Sequence, residues 1–188
     1  MGKKVAFLGL GVMGYPMAGY LHKAGYEVTV FNRTTSTAER WVGEYGGALA
    51  ASPAAAANGA EFVMACVGND DDLRAIVTGS EGAFAGMSAG ATFVDHTTAS
   101  ATVARELSAL GAESGLKFLD APVSGGQLGA ENGALTIMVG GEQAVFDEAM
   151  PVIDAYSKSV KLLGPTGAGQ LTKMVNQICI AGLVQGLA

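Results

Sequence analysis

The final segment of the chain, TKMVNQICIAGLVQGLA at residues 172–188, combines an apolar helical pattern with one lysine and several amides. Lys173 is a candidate catalytic residue, because an ammonium can polarise a carbonyl and give a proton to the alkoxide that its reduction produces. In the reverse direction the neutral amine would take the proton, so partial burial would have to lower the lysine pKa from ~10.4. Asn176 shares the helical face and can orient Lys173 or the substrate oxygen. The alternative is a surface lysine whose stem covers apolar side chains.

A glycine-rich stretch near the start of the chain, FLGLGVMG at residues 7–14, fits G-x-G-x-x-G between a predicted strand and a predicted helix. Gly9 permits a tight turn, Gly11 lets the backbone approach a pyrophosphate, and Gly14 lets helix and strand pack closely. The helix N-terminus adds free N–H groups and partial positive charge. The alternative is a turn that needs glycine only for its backbone. We interpret the loop as a dinucleotide site with cofactor-binding residues Gly9, Leu10, Gly11, Val12, Met13 and Gly14.

The end of the second predicted strand, FNRTTS at residues 31–36, indicates which dinucleotide is bound. NAD-binding domains usually place an acidic residue there, about twenty residues after the loop, to hold the ribose 2'-hydroxyl. This chain has Asn32, which does not repel a 2'-phosphate, while Arg33 can pair with that phosphate and Thr34 can donate a hydrogen bond. We therefore predict NADP (NADPH), with NAD less favoured. A solvated arginine before a threonine-capped helix is the alternative, and it is compatible with the same role.

Short apolar runs alternate with helical patterns along the chain, which predicts a Rossmann-type, doubly wound α/β fold with a mostly parallel sheet. We expect a nucleotide-binding domain at residues 1–163 and the start of a long helix at 164–188. The predicted strands are 5–8, 27–31, 61–67, 91–95, 117–119, 135–139 and 160–163, and the predicted helices are 13–24, 35–45, 53–58, 71–78, 100–114 and 142–156.

Composition excludes several classes of function. The 188 residues are 49% hydrophobic and 15% charged, so the chain is not disordered. The net charge of -6 argues against nucleic acid as a partner. We find neither a signal peptide nor a membrane span. Cys66 and Cys179 lie in apolar contexts, which is typical of reduced cytoplasmic thiols rather than of a disulfide or a metal site.

Four stretches together resemble the β-hydroxyacid dehydrogenase family, which includes 3-hydroxyisobutyrate dehydrogenase, tartronate semialdehyde reductase and the glyoxylate/succinic semialdehyde reductases. They are FLGLGVMGYPMAGYLHKAG at residues 7–25, FVDHTTAS at 93–100, DAPVSGG at 120–126 and GPTGAGQLTKMVNQ at 164–177. The resemblance extends over the whole chain. The combination of DAPVSGG with G-x-G-x-x-x-K-x-x-N is far more specific than the glycine loop.

The resemblance implies a role for the residues of DAPVSGG. On chemical grounds, Ser124 with the N–H groups of Gly125 and Gly126 could form a small anion-binding nest or an ordinary turn. The family implies that these three residues hold the substrate carboxylate, and that Ser124 belongs with Lys173 and Asn176 to the catalytic set. Some relatives have asparagine at the position of Gln177, which leaves the role of that residue open.

Two further loops are assigned by the resemblance. It implies that the turn containing Val67 and Gly68 contacts the cofactor through its backbone. Thr97 and Thr98 follow the fourth strand; either could contact the nicotinamide ribose, and Thr98 is also expected at the substrate. We interpret His96 as structural rather than catalytic. We interpret residues 70–72, three consecutive aspartates, as helix N-terminal charges rather than ligands.

These features predict an NADP-dependent oxidoreductase that interconverts a small 3-hydroxy acid, such as 3-hydroxyisobutyrate, with its semialdehyde or oxo acid. One alternative is an imine reductase, although those enzymes usually replace the lysine. 6-Phosphogluconate dehydrogenase shares the glycine motif, but its His-x-x-Lys-x-x-His-Asn pattern is absent around Lys173. A third alternative is a truncated, non-catalytic nucleotide-binding or oligomerisation module, because family members continue into an all-α domain that closes the active site and forms a dimer interface.

The last helix is therefore expected to be the start of an interdomain helix in a homo-oligomer. We expect its distal half to be either frayed or buried against a helical domain or a second copy of the chain. The residues expected to face the sheet are Leu171, Met174, Val175 and Ile178, and those expected to pack on the partner are Ile180, Leu183, Val184 and Leu187.

Overall fold

A six-stranded parallel sheet organises the chain in the computed structural model, which describes residues 2–188. The strand order β3-β2-β1-β4-β5-β6 means that the chain builds outward from β1 on one side and then returns to build the other side. Ligands of such sheets bind beyond the carboxyl ends of the strands where the order reverses, here between β1 and β4. The strands are β1 Lys4–Leu8, β2 Glu27–Phe31, β3 Ala48–Leu49, β4 Phe62–Ala65, β5 Thr92–Asp95 and β6 Lys117–Asp120.

The central strands are apolar throughout because both faces of the sheet are covered. Phe7 and Leu8 are consecutive residues of β1, yet both are fully buried. Their side chains point to opposite faces, and each joins a different hydrophobic cluster. The faces are covered by helices that follow the strands along the chain. The helices are α1 Gly14–Lys23, α2 Thr35–Tyr45, α3 Pro53–Ala57, α4 Asp70–Val77, α5 Ala83–Gly86, α6 Ala101–Glu113, α7 Gly126–Glu131, α8 Gln143–Ile153 and α9 Ala168–Leu187, of which α9 extends beyond the sheets.

The predicted fold class is confirmed, and the predicted strands and helices are all present with ends that shift by up to three residues. Sequence reasoning missed the short elements β3, α5 and α7, which are too short to show a hydrophobic period. It also missed a separate small sheet in which β8 pairs with β7 antiparallel and with β9 in parallel. Its strands are β7 Val123–Ser124, β8 Leu135–Val139 and β9 Ser157–Leu162.

The small sheet joins the main sheet through an antiparallel bridge between Asp120 and Gly140. Helix α9 starts beside this junction, and its buried residues all lie in its first two turns. A Cβ at Gly169 would lie 2.4 Å from the carbonyl oxygen of Met138, so glycine permits the close approach. The junction therefore fixes the point from which α9 leaves the sheet.

The expected apolar contact between α9 and the sheet is wrong. Leu171, Met174, Val175 and Ile178 are all substantially exposed. The buried face consists of Gly169, Gln170 and Lys173 instead. The helix is regular to Leu187 and its distal half is exposed, so the expectation that this half is frayed or packs on a partner remains a prediction. No helix within residues 2–188 is long and apolar enough to span a membrane.

Candidate active site

A cleft of about 590 Å³ opens where the order of the main sheet reverses, at the carboxyl ends of β1, β2 and β4. Its walls are the glycine loop, the turn after β2 and the turn after β4. Most of the predicted cofactor residues line this cleft, namely Gly9, Gly11, Val12, Met13, Gly14, Asn32, Arg33, Thr34, Val67 and Gly68. The lining within residues 2–188 does not include Leu10, Thr97, Thr98, Ser124, Gly125, Gly126, Lys173 or Asn176.

The three glycines of the loop meet different surroundings. Gly9 has φ +94°, and a Cβ there would lie 2.3 Å from the carbonyl oxygen of Cys66. A Cβ on Gly14 would lie 2.0 Å from the carbonyl oxygen of Gly9. A Cβ on Gly11 would meet nothing within 4 Å, and that residue is exposed in the cleft. Gly9 and Gly14 are therefore required by packing, whereas Gly11 leaves an open backbone surface that suits a pyrophosphate.

Asn32 anchors the glycine loop to the end of β2. Its Oδ1 accepts a hydrogen bond from Leu10 N at 2.9 Å, and its Nδ2 donates to the carbonyl oxygen of Thr34 at 3.0 Å. Leu10 was predicted to bind the cofactor, but its side chain is buried and its N–H is engaged by Asn32. Leu10 therefore anchors the glycine loop to the protein interior. Asn32 does line the cleft, with a side-chain amide that is already hydrogen-bonded to the protein.

Arg33 stands at the rim of the cleft and pairs with an aspartate from the opposite wall. Its Nη1 lies 3.0 Å from Oδ1 of Asp72, with the arginine side chain 87% exposed and the aspartate side chain 30% exposed. Asp72 belongs to the first turn of α4 and lines the cleft. The interpretation of Asp72 as a helix N-terminal charge alone is therefore incomplete, since it also contacts a predicted cofactor residue.

Thr97 supports the turn after β4 from the interior. Its side chain is fully buried, and its Oγ1 accepts a hydrogen bond from Val67 N at 3.1 Å. The Thr97 side chain therefore faces the protein rather than the cleft, which favours Thr98 for the predicted contact with the nicotinamide ribose. Thr98 is exposed, as a ligand contact would require.

Two buried titratable residues precede Thr97. Asp95 accepts a hydrogen bond from Thr97 N at 2.9 Å through Oδ1, while its buried Oδ2 has no partner within residues 2–188. Burial raises the pKa of Asp95 to about 7. Burial also lowers the pKa of His96 to about 4. The neutral His96 ring donates from Nδ1 to the carbonyl oxygen of Ala121 and accepts at Nε2 from the Tyr156 hydroxyl, which agrees with its structural interpretation.

The carboxylate of Asp120 caps the N-terminus of α9. Oδ1 accepts a hydrogen bond from Gly167 N at 2.7 Å, and Oδ2 accepts one from Gln170 N at 2.9 Å. Gly167 is the N-cap residue but has no side chain to cap with. Asp120 therefore satisfies N–H groups that would otherwise have no partner, and its charge complements the helix dipole. Burial raises the pKa of Asp120, and these N–H groups oppose the rise.

Gln170 joins α9 to the loop that contains Thr97. Its Nε2 donates to the carbonyl oxygen of Thr97 at 2.7 Å, and its Oε1 accepts from Ala99 N at 3.1 Å. The side chain is fully buried. Because the Thr97 hydroxyl also accepts a hydrogen bond from Val67 N, one hydrogen-bond network connects the wall of the cleft to α9, the helix that carries Lys173. Gln170 and Asp120 lie within two of the stretches that carry the family resemblance, but the sequence alone assigns neither residue a role; Asp120 at least stands at the end of an apolar strand pattern, whereas Gln170 has no such signal.

Lys173 follows Gln170 on the same face of α9 and is 7% exposed. Burial lowers its pKa, and no carboxylate within the described chain forms an ion pair with it. The surface-lysine alternative is therefore wrong. Asn176 continues this face and is half-buried. Its Nδ2 donates to Oε1 of Gln177 at 3.3 Å, so the expected contact with Lys173 is not formed here.

The predicted carboxylate-binding turn lies between β7 and α7. Ser124 is half-buried at the end of β7, and Gly125 and Gly126 are exposed. The two glycines have φ +135° and +60°, which are backbone conformations that other residues rarely adopt. The turn therefore presents backbone to solvent in a geometry that requires glycine.

The parallel sheet with a glycine-lined cleft at its reversal point defines a dinucleotide-binding domain of the Rossmann type. The family model described as the NAD binding domain of 6-phosphogluconate dehydrogenase matches residues 4–164, and the chain belongs to that family.

Named relatives agree with this assignment. An uncharacterized oxidoreductase of Shewanella frigidimarina is 65% identical over 185 residues, which are 98% of this chain and 64% of the relative. An NAD-dependent L-serine dehydrogenase of Pseudomonas aeruginosa is 38% identical over 186 residues, which are 99% and 62% of the two chains. The solved structure of Mycobacterium tuberculosis 3-hydroxyisobutyrate dehydrogenase with L-serine matches with a TM-score of 0.90 at 34% identity, over 96% of this chain and 61% of that one.

These matches confirm the resemblance to the β-hydroxyacid dehydrogenases. The chain spans less than two thirds of the length of each of these three relatives.

Proposed function

We propose that the protein is an NADP-dependent oxidoreductase that interconverts a small 3-hydroxy acid with its semialdehyde or oxo acid. The observation that carries the proposal is the buried Lys173, which is connected through Gln170 and Thr97 to the turn that walls the nucleotide cleft. A lysine held in this way has a lowered pKa and a fixed position relative to the cofactor-binding edge.

The glycine loop fits a bound dinucleotide. The open backbone at Gly11 and the adjacent N-terminus of α1 suit a pyrophosphate. Arg33 and Thr34 would hold the 2'-phosphate, and Asn32 presents no charge that would repel it. Val67, Gly68 and Thr98 would border the nicotinamide ribose. We therefore favour NADP over NAD.

Within this proposal, the chain's own residues bind the acid and move one proton. Ser124, Gly125 and Gly126 would hold the substrate carboxylate by a hydroxyl and backbone N–H groups. The nicotinamide supplies or accepts the hydride when it is bound. Lys173 would take the proton from the substrate hydroxyl during oxidation and return it during reduction, and Asn176 would orient the reacting oxygen.

Domain organisation and assembly belong to the same proposal. Residues 1–163 would form the NADP-binding domain, and residues 164–188 would begin the catalytic interdomain helix. The exposed apolar side chains of α9 agree with a partner surface, which in this family would be a helical domain in a homo-oligomer. The expected ligands are a hydroxy acid or semialdehyde, and the expected compartment is the cytoplasm.

Nucleotide preference can be tested on this chain directly. Titration calorimetry with NADP+ and NAD+ should give the tighter binding for NADP+, and NADPH should raise the melting temperature more than NADH at equal concentration. Equal or tighter binding of NAD+ would contradict the cofactor assignment. The NAD-dependent relative makes this comparison necessary.

Turnover is tested on the whole protein with a panel of short 3-hydroxy acids, including 3-hydroxyisobutyrate and L-serine, and of the corresponding aldehydes. Lys173→Ala should reduce kcat by about 10²-fold or more and leave nucleotide affinity nearly unchanged. Lys161→Ala is the matched control, because Lys161 is exposed on β9. Turnover retained by Lys173→Ala would remove Lys173 from the mechanism, and turnover of cyclic imines alone would favour an imine reductase.

A further inference from the structure

Three consecutive aspartates at the start of α4 have three different partners. Asp70 accepts hydrogen bonds from the backbone N–H and the hydroxyl of Ser100. The carboxylate of Asp71 is 97% exposed and lies 3.4 Å from Arg74. Asp72 alone turns into the nucleotide cleft, where it pairs with Arg33. Identical charges in one helical turn therefore have separate roles.

The position of Asp72 depends on its neighbours in the turn after β4. Its Oδ2 accepts a hydrogen bond from Nδ2 of Asn69 at 3.3 Å. A Cβ on Gly68 would lie 2.6 Å from the same oxygen, so glycine leaves the space that the carboxylate occupies. The carboxylate is thus directed across the cleft towards the end of β2, where the adenosine ribose lies in folds of this type.

We propose that Asp72 is a specificity-determining residue that competes with the 2'-phosphate of the nucleotide for Arg33. The inference rests on the proposed function only in placing the adenosine ribose beside Arg33. A 2'-phosphate on Arg33 must share the guanidinium with the Asp72 carboxylate or displace it, and in both cases it lies close to that carboxylate. NAD lacks this phosphate, so its binding leaves the pair between Arg33 and Asp72 intact.

Two physical effects act in the same direction. Binding of NADP+ weakens an exposed ion pair, because the phosphate shares or takes the guanidinium, and it brings a second negative charge near Asp72. NAD+ incurs neither effect. Asn32 and Arg33 favour NADP over NAD, and Asp72 reduces that difference in affinity. It therefore sets the ratio of the two affinities without contacting the reacting atoms.

The test compares nucleotide affinities of Asp72→Asn and Asp71→Asn by titration calorimetry on this chain. Each variant removes one negative charge from the first turn of α4, but only Asp72 touches Arg33. We expect Asp72→Asn to tighten NADP+ binding about three- to tenfold, and to change NAD+ binding less than about twofold. Asp71→Asn should change both affinities less than about twofold, and added salt should shrink the effect of Asp72→Asn.

The outcomes separate this inference from the cofactor proposal. If the unmodified chain prefers NAD+ but Asp72→Asn gains NADP+ affinity, the cofactor proposal fails and the role of Asp72 stands. If the unmodified chain prefers NADP+ and Asp72→Asn leaves that affinity unchanged or weaker, the role of Asp72 is overturned. An equal gain in Asp71→Asn would also overturn it, because the effect would then be one of general charge. In an Arg33→Ala background the part of the gain that comes from freeing the guanidinium should disappear, so the gain from Asp72→Asn should be smaller, and only the relief of charge repulsion should remain.

Discussion

The nucleotide cleft and the base of α9, the helix that carries Lys173, are formed by different kinds of groups. The cleft is made mainly of backbone and glycine, and its charged side chains, such as Arg33, stand at an exposed rim. The base of α9 is made of buried polar side chains, with Asp120 and Gln170 fully inaccessible to solvent. The cleft therefore depends on backbone shape, whereas the base of the helix depends on satisfied hydrogen bonds.

The difference predicts opposite sensitivities to mutation. A rim side chain can change with little loss of stability, because water replaces its contacts. A buried polar side chain cannot, because its partners are left without hydrogen bonds. In the cleft the sensitive positions are instead glycines with no room for a Cβ. The same contrast can be tested at four places.

The largest effect is expected within the glycine loop itself. Gly14→Ala forces a Cβ to within 2.0 Å of the carbonyl oxygen of Gly9, so we expect a loss of at least ~3 kcal/mol in the free energy of unfolding. Gly11→Ala meets no atom within 4 Å and should cost less than about 0.5 kcal/mol. It should nevertheless weaken nucleotide binding about tenfold or more, because its methyl group occupies the pyrophosphate surface.

Denaturant unfolding and nucleotide titration of the two glycine variants measure these effects separately. A Gly14→Ala protein as stable as the unmodified chain would show that the loop relaxes freely. A Gly11→Ala protein with unchanged affinity would remove the phosphate role of that residue.

The second effect concerns the cap of α9. Asp120→Ala leaves the N–H groups of Gly167 and Gln170 without their acceptor in a buried site, so we expect a loss of about 3 kcal/mol in the free energy of unfolding. Asp120→Asn keeps the shape and one acceptor oxygen, and should lose less. Urea unfolding of both variants checks the order. Equal losses would mean that the charge matters more than the number of acceptors.

The sequence is enough to locate the glycine loop at the cleft but not to find the hydrogen bonds at the base of α9, and the reason is physical. Glycines at 9, 11 and 14 encode a backbone shape within eight residues, so the pattern is visible locally. Asp120 and Gln170 are 50 residues apart, and Gln170 and Thr97 are 73 apart, so neither contact leaves a local pattern.

The sequence also does not fix the direction in which individual side chains face. The apolar residues of α9 were expected to face the sheet, but close packing at Gly169 turned the polar face inward. The resemblance places either Thr97 or Thr98 at the nicotinamide ribose, but the Thr97 hydroxyl is engaged by Val67 N inside the protein. Fold class and element order follow from hydrophobic pattern, whereas the facing of one polar side chain follows from tertiary packing.

A third, smaller effect tests the connection between the two regions. Gln170→Ala removes the hydrogen bonds to Ala99 N and to the carbonyl oxygen of Thr97, so we expect a loss of about 2 kcal/mol in unfolding free energy. Gln177→Ala is the matched control on the exposed part of the same helix, and should stay within about 0.5 kcal/mol. Nucleotide affinity should fall in Gln170→Ala alone, because Thr97 positions the Val67 turn. Unchanged affinity would show that the network is structural only.

The smallest effect is a change in the pH dependence of stability at the junction of the two regions. The pKa of Asp95 is about 7 in the folded state and about 3.9 in the unfolded state. Between these two pH values the folded state binds more protons than the unfolded state. This group therefore makes the free energy of unfolding fall as the pH rises from about 4 to 7. The folded pKa of His96 is about 4 and its unfolded value is about 6.5. This group therefore makes stability rise with pH over nearly the same window.

Because the two neighbours oppose each other, Asp95→Asn should expose the contribution of His96. Relative to the unmodified chain, the slope of unfolding free energy between about pH 4.5 and 6.5 should become more positive by roughly 1 kcal/mol per pH unit. Asp147→Asn, at an exposed acid of α8, should leave the slope unchanged. Chemical unfolding across this window measures the difference in slope even if Asp95→Asn lowers stability at every pH. An unchanged slope would mean that Asp95 is ionised in the folded protein, with its free oxygen solvated.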